Sequence, residues 1–208
     1  MSKPLTIEIA SDVICPWCYI GKRRLEKALA LLDGEVAAQI RWLPFQLNPD
    51  MPRQGMPRAD YRRAKFGSIE RGRELDARVA AEGKGEGIAF AFDRMQRTPN
   101  TVDAHKLIDL AQQQGLAAPV VDALFRAYFE DAEDIGDAAV LERIATAAGV
   151  AGWPAESDEK QVATLEESLR GLGISAVPTF IFDRKSGVSG AQPPESLAAA
   201  MREAAGLR

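Results

Sequence analysis

Cysteine is almost missing from this 208-residue chain, which carries two, Cys15 and Cys18, and a single histidine, His105. So small a set excludes a disulfide-stapled scaffold and falls short of the four ligands of a structural zinc site. No stretch approaches the ~18 consecutive apolar residues that a membrane span needs. Neither sign of charge dominates: 26 basic against 30 acidic residues leave a net charge of −4. That balance gives no reason to expect nucleic acid or an anionic membrane as partner. The local clusters Lys22-Arg23-Arg24 and Arg62-Arg63 read as solvated helix faces. The start, Met1-Ser2-Lys3-Pro4, runs directly into an alternating segment, without the apolar stretch and small-residue cleavage site of a secretory signal. A cytoplasmic protein is therefore expected, and there a cysteine pair is catalytic rather than a staple. A bridge closing so short a loop would constrain little of the unfolded chain.

What is present is concentrated. Leu5, Ile7 and Ile9 alternate with Thr6 and Glu8, which predicts a strand. Ile20, Leu25, Ala28, Leu29 and Leu32 then recur at helical spacing until Gly34. Between the two lies Cys15-Pro16-Trp17-Cys18. A sulfur at a helix start faces unpaired N–H groups and the positive end of the helix dipole, both of which favour a thiolate. A second sulfur one turn on can attack a mixed disulfide and release the bound substrate. The pattern predicts thiol–disulfide exchange.

Around it the chain reads as α/β at the ends and helical in the middle. Val36–Leu43 predicts a second strand, and Pro44, Pro49, Pro52 and Pro57 break the segment after it. A helix is expected over Ala59–Ala81, ended by Gly83, Gly85 and Gly87 ahead of Ile88–Phe92. Four more helices are expected: one capped by Asn100 or Thr101 and closed by Gly115, and one opening near Pro119 with Leu124, Phe125, Tyr128 and Phe129. The others run from Asp137 to Gly149 and from Asp158 to Arg170. Val177–Phe182 and Val188-Ser189 read as strands about a turn, and Pro193-Pro194-Glu195 opens a last helix. With the block removed, the order is β-α-β-α-β-β-α. The expected division is a discontinuous domain over 1–50 and 155–208, interrupted by a helical insertion over 51–154.

Five segments carry a resemblance. They are Ser11 to Lys22, Pro44 to Pro49, Asn100 to His105, Val177 to Phe180, and Ser189-Gly190-Ala191-Gln192. In that order they resemble the DsbA-like branch of the thioredoxin superfamily, and within it the cytosolic FrnE-type dithiol–disulfide isomerases. The resemblance implies a thioredoxin-like fold with an all-helical insertion, exchange without a bound metal, and a cis proline at Pro178 facing the sulfurs. It departs from periplasmic DsbA, which has histidine where Trp17 stands. An apolar ring replaces a positive charge, so the extreme oxidising poise of DsbA is not expected.

Cys15 is the expected nucleophile, nearer the solvent side, and Cys18 the more buried resolving thiol. Pro16 suits the first helical turn. Trp17 is either a flat contact for substrate or packing over the helix. A cis bond at Pro178 would turn the Val177 backbone toward the sulfurs, where an extended substrate could add as a strand. Asp12 and Glu8 are candidate proton-handling acids, with a helix cap as the plainer role for Asp12. His105 is either a satisfied helix histidine or a charge over the site. Asn48 and Gln192 stand where related folds bind glutathione or a substrate backbone. No cofactor is expected, glutathione entering as a co-substrate at most, and the partner is a disulfide or dithiol, protein or small molecule. A homodimer is common among relatives.

Two other functions compete. The 2-hydroxychromene-2-carboxylate isomerases and kappa-class glutathione transferases share the insertion but usually place serine at the position of Cys15, so two cysteines favour redox work. A binding or chaperone groove lined by Phe125, Tyr128 and Phe129 is the third, although such a stripe is more simply core.

Overall fold

The computed structural model describes residues 2–207. Strand β1 (Lys3–Ser11) lies at the centre of a four-stranded sheet. It pairs in parallel with β2 (Val36–Pro44) and antiparallel with β5 (Thr179–Phe182). The edge strand β6 (Ser186–Ser189) completes the order β2-β1-β5-β6. The register runs from Lys3 opposite Val36 to Ser11 opposite Pro44, and sets Ala10 opposite Thr179. A central strand is covered on both faces, so the alternation seen in the sequence does not survive as burial. Leu5, Ile7 and Ile9 enter the main core with Phe180 and Phe182, while Ala10 joins Leu43, Phe45 and Leu169 on the opposite side.

Helix α1 (Pro16–Leu31) covers the first face beside α8 (Pro194–Ala204), and α7 (Glu159–Gly171) packs on β2. The α/β thioredoxin-like order expected from the sequence is the one observed. Between β2 and α7 stand α2 (Arg58–Phe66), α3 (Ile69–Gly85), α4 (Val102–Gln113), α5 (Ala117–Phe129) and α6 (Ala138–Ala148). A ribbon of two residues per strand, β3 (Met56–Pro57) with β4 (Arg97–Thr98), also lies in this block; strands so short leave no alternation from which to predict them. Among the described residues no helix is long and apolar enough to cross a membrane.

Two boundaries differ from expectation. The helix predicted over 59–81 is split at Gly67, whose φ of 86° ends α2, after which the Ser68 side chain accepts from Arg71 N–H and caps α3. Gly83 does not break the chain, since α3 runs through to Gly85. Its role is close packing: a Cβ there would overlap the ring carbons of Phe90. That ring is held by stacking on Phe92 at 4.7 Å and by the edge of Phe129 at 5.2 Å. Alanine would gain about 1 kcal/mol of helix propensity, whereas overpacking costs about 1–3 kcal/mol. Gly83→Ala is therefore expected to destabilise the fold by up to about 2 kcal/mol, read as a lower urea midpoint at unchanged m; a higher midpoint would mean the ring moves freely.

Candidate active site

The site forms where β1 gives way to α1. Ser11 and Asp12 end the strand, and the Asp12 carbonyl accepts from Cys15 N–H at 3.0 Å, turning the chain into the helix. Cys15 is the N-cap residue and Pro16 occupies the first turn, where a missing N–H costs nothing. No side chain caps α1, and no acidic residue sits in its first turn. The helix end is thus left to the sulfur, with no carboxylate competing for it.

Both cysteines are free thiols. The Cys15 thiol donates to the Val177 carbonyl at 3.7 Å, and the Val177–Pro178 bond is cis. Cys15 reaches the surface only as a narrow sliver, 4% exposed, so it is less open than the sequence suggested; Cys18 is 1% exposed. Burial pushes the Cys18 thiol well above the ordinary cysteine range. The hydrogen bond and charge of Cys15 add to the rise, while the Ser11 side chain and the Asp12 backbone oppose it. Trp17 stands out from the helix at 39% exposed, free to touch a ligand rather than packed over α1.

The loop opposite is fixed from behind. Gly190 N–H donates to the Pro178 carbonyl at 2.8 Å, and Arg24 of α1 donates to the Ala191 carbonyl at 2.6 Å. Gly21 lies against the Pro178 ring, where a Cβ would come within 2.8 Å, so α1 and this loop meet at glycine distance. Gln192 folds onto its own turn through the Ser189 carbonyl at 3.0 Å. Asn48 is held by Tyr61 and Lys65 at 3.4 and 3.3 Å, on the side of α2. Substrate contact by Asn48 or Gln192 would require these local bonds to open.

Asp12 is fully buried and does not cap α1. Its Oδ2 accepts from Leu47 N–H at 2.8 Å, tying the loop after β2, and its Oδ1 lies 3.3 Å from His105 Nε2. That second approach is too poorly aligned for a hydrogen bond, and both atoms are otherwise unpartnered. The structure thus joins His105, in the first turn of α4, to Asp12 across 93 residues of sequence (105 minus 12). Glu8 is taken out of the site by a two-pronged pairing with Arg184 at 2.7–3.1 Å.

The sequence reading missed Ser11, beside the Cys18 sulfur, and Tyr19, whose hydroxyl donates to Glu130 at 2.5 Å. Burial, then that bond, pushes the Tyr19 phenol up to about 12. Ser11 had a signal: it continues the i, i+2 phase of Leu5, Ile7 and Ile9, a polar residue ending an apolar face that α1 covers. Among the described residues no group of three or more His, Cys, Asp or Glu side chains could hold a metal ion.

A mixed sheet with a Cys-x-x-Cys at the uncapped end of its first helix and a cis-proline loop beside the first sulfur defines a thioredoxin-like thiol oxidoreductase class. The sequence matches the DSBA-like thioredoxin domain over residues 6–202, and the chain belongs to that family. A probable DsbA oxidoreductase from Streptomyces coelicolor is 33% identical, with 98% of this chain and 91% of that one covered and a TM-score of 0.86. The cytosolic disulfide reductase DsbM of Pseudomonas aeruginosa, in a structure with GSH, is 18% identical at a TM-score of 0.65, covering 95% and 98% of the two chains. A 2-hydroxychromene-2-carboxylate isomerase is 13% identical at 0.68, covering 98% and 99%. At these last two identities the likeness is one of fold.

The asymmetry between the sulfurs has a chemical readout. At pH 7, iodoacetamide is expected to label Cys15 in the native protein and to spare Cys18 until denaturation, because Cys18 is sealed and keeps its proton. Peptide mass spectrometry decides it, and equal labelling of the two would remove the assigned order.

Proposed function

We propose that this protein is a cytoplasmic dithiol–disulfide oxidoreductase or isomerase, with Cys15 as nucleophile and Cys18 as resolving thiol. The observation that supports it is the placement of the Cys15 sulfur 3.7 Å from the Val177 carbonyl, at an uncapped helix end, with Cys18 sealed behind. The Cys15 thiolate attacks one sulfur of the substrate disulfide and expels the other as a thiolate. Cys18 then gives up its proton and attacks Cys15, so the internal disulfide forms and the second substrate thiolate leaves. The substrate has gained two electrons, and the reverse sequence oxidises a dithiol.

Val177 offers its backbone for pairing with an extended substrate, Pro178 shapes that loop, and Pro16 and Trp17 flank the approach. With so little of Cys15 open, a flexible chain segment or a small disulfide fits better than a disulfide within a rigid fold. The reading needs no bound cofactor. Glutathione is the proposed co-substrate, consistent with the GSH carried by the DsbM structure, and Asn48 and Gln192 are the residues proposed to meet its peptide. A homodimer is retained as part of the proposal, with no role for membrane or nucleic acid.

The likeness in fold to 2-hydroxychromene-2-carboxylate isomerase supports a second reading, a glutathione-dependent isomerase or transferase. One set of assays separates them: insulin reduction, and glutathione with an electrophile, on wild type, Cys15→Ser and Cys18→Ser. The expected result is insulin reduction lost to the uncatalysed rate in Cys15→Ser, and a trapped mixed disulfide in Cys18→Ser. Glutathione conjugation or isomerisation that survives Cys18→Ser, without insulin reduction by the wild type, would replace the first reading with the second.

A further inference from the structure

The cluster Arg62-Arg63, which reads as a solvated face in the sequence, divides in the structure: Arg63 is exposed, whereas Arg62 is only 9% exposed. Arg58, one turn earlier on α2, lies nearly as deep, and both guanidiniums turn to a single carboxylate, Asp76 of α3. A buried cation without its own counter-charge is costly, so two that share one anion call for an explanation. Each is engaged through Nη2 alone: Arg58 by the two Asp76 oxygens at 3.2 and 3.3 Å, Arg62 by Asp76 and the Gly72 carbonyl. Nε and Nη1 of both make no hydrogen bond among the described residues. Burial, with the Arg58 charge beside it, pulls the Arg62 guanidinium below the usual arginine range although Asp76 opposes the shift.

These groups line a cavity of about 700 Å³ between α2, α3 and the segment 90–96, within the size range of small-molecule sites. Helix α3 presents Ile69, Arg73, Asp76, Ala77 and Ala80 to it, the spacing of one helix face. Phe90, Phe92 and Met95 form the apolar side. Phe90 and Phe92 are stacked at 4.7 Å, the Arg58 guanidinium lies over the Phe92 ring at 5.4 Å, and that of Arg62 lies over Phe66 at 4.7 Å. Three arginines, Arg58, Arg62 and Arg73, line the cavity against two carboxylates, Asp76 and Asp93, which leaves one positive charge in surplus. A tie between two helices needs one guanidinium per carboxylate; the surplus cation beside an open apolar wall goes beyond that.

We propose that this cavity binds a small aromatic monocarboxylate, its carboxylate held by the free edges of Arg58 and Arg62 and its ring laid against Phe90, Phe92 and the wall of Ala77 and Ala80. A carboxylate matches the flat, two-donor edge of a guanidinium, and both guanidiniums are already fixed by stacking on aromatic rings. One negative charge balances the one in surplus, whereas a phosphate dianion would exceed it beside Asp76 and Asp93. The aromatic wall suits a planar body, which meets such rings by offset or edge contact. The cavity shares no lining residue with the cysteine pair and its proline loop, so this site stands apart from the exchange reading.

The test titrates 2-naphthoate into the isotope-labelled full-length protein and follows its backbone amides by NMR. Saturable shifts are expected on α2 around Arg58 and Arg62 and on α3 around Asp76 and Ala80, with a Kd of about 1 mM or tighter. The neutral 2-naphthylmethanol, the same ring system without the charge, should bind about 10-fold more weakly or worse. Arg62→Gln should weaken 2-naphthoate about 10- to 100-fold. Ala77 is exposed and mid-helix, so its variants keep the fold even where Arg62→Gln does not. Ala77→Glu should abolish binding by supplying the missing anion, and Ala77→Gln, of nearly the same size, should keep it within about fivefold. No saturation up to about 10 mM, equal affinity for the alcohol, shifts centred on Trp17 and Val177 instead, or equal loss in the two Ala77 variants would each overturn the site.

Discussion

A carboxylate taken wholly out of water is costly unless its neighbours replace the lost hydration, and here that carboxylate belongs to Asp12. Its backbone carbonyl starts the turn into α1, its backbone N–H side meets the Cys18 sulfur, and one carboxylate oxygen accepts from Leu47. The other oxygen faces His105 of α4. One residue thus joins the central strand, the helix bearing the sulfurs, the proline-rich loop after β2 and the helical block. The same loop is gripped from its far side by Glu166 of α7, which accepts from Gln46 at its backbone N–H and side-chain amide, both at 3.0 Å. Irregular backbone that crowds four prolines is held here by two buried carboxylates rather than by regular pairing.

The two sulfurs differ because the helix end treats them differently. Cys15 sits ahead of the first turn, where backbone N–H groups lack partners and the dipole is positive. Cys18 is one turn in, within the main core and walled from water, so its charged form is penalised. In a dithiol each sulfur needs the opposite property at the same moment: one must be ready as an anion, the other must wait as an acid. Three residues of separation on a helix set one sulfur at the helix end and seal the other in the core. The Trp17 indole stands between them without a charge, and the single histidine reaches Asp12 from α4.

Much of this was legible in the sequence for local reasons. The strand phases of β1 and β5, the breaks at Gly34, Gly115 and Gly149, and the cysteine pair at a strand-to-helix junction all depend on neighbours within a few residues. Position 177–178 needed the resemblance, since a Val-Pro pair alone favours the trans form. What stayed hidden was everything set by distance in sequence. Ser11 reads as the end of a strand until α1 is laid over it. Gly83 reads as a breaker until Phe90 is folded back against it. Glu8 reads as a free acid until the turn after β5 brings Arg184 to it. His105 and Asp12 sit in segments with nothing in common until α4 packs on the end of β2.

The helical block does more than cover the sheet, because its charged contacts fall on the helix that carries the sulfurs. Tyr19, the residue after Cys18, is stacked at 4.9 Å on Phe125 and hydrogen-bonded to Glu130, both from α5 or its end. Lys22, one turn further, is buried against Asp122 of α5 at 2.5 Å, and Arg24 reaches Glu86 beyond α3 at 2.7 Å. Exposed ion pairs are worth about 0–1 kcal/mol, so Lys27 to Glu86 adds little. Lys22 and Tyr19 are different: a sealed ammonium or phenol left unpartnered carries a desolvation penalty, so any displacement of α1 that broke these pairs would be opposed. The constraint is directional. Sliding α1 along its axis would separate Lys22 from Asp122 and Tyr19 from Glu130 together, and would also drive Gly21 against the Pro178 ring. The insertion and the proline loop therefore hold the helix from opposite sides, and the spacing between the Cys15 sulfur and the Val177 carbonyl is what that grip preserves.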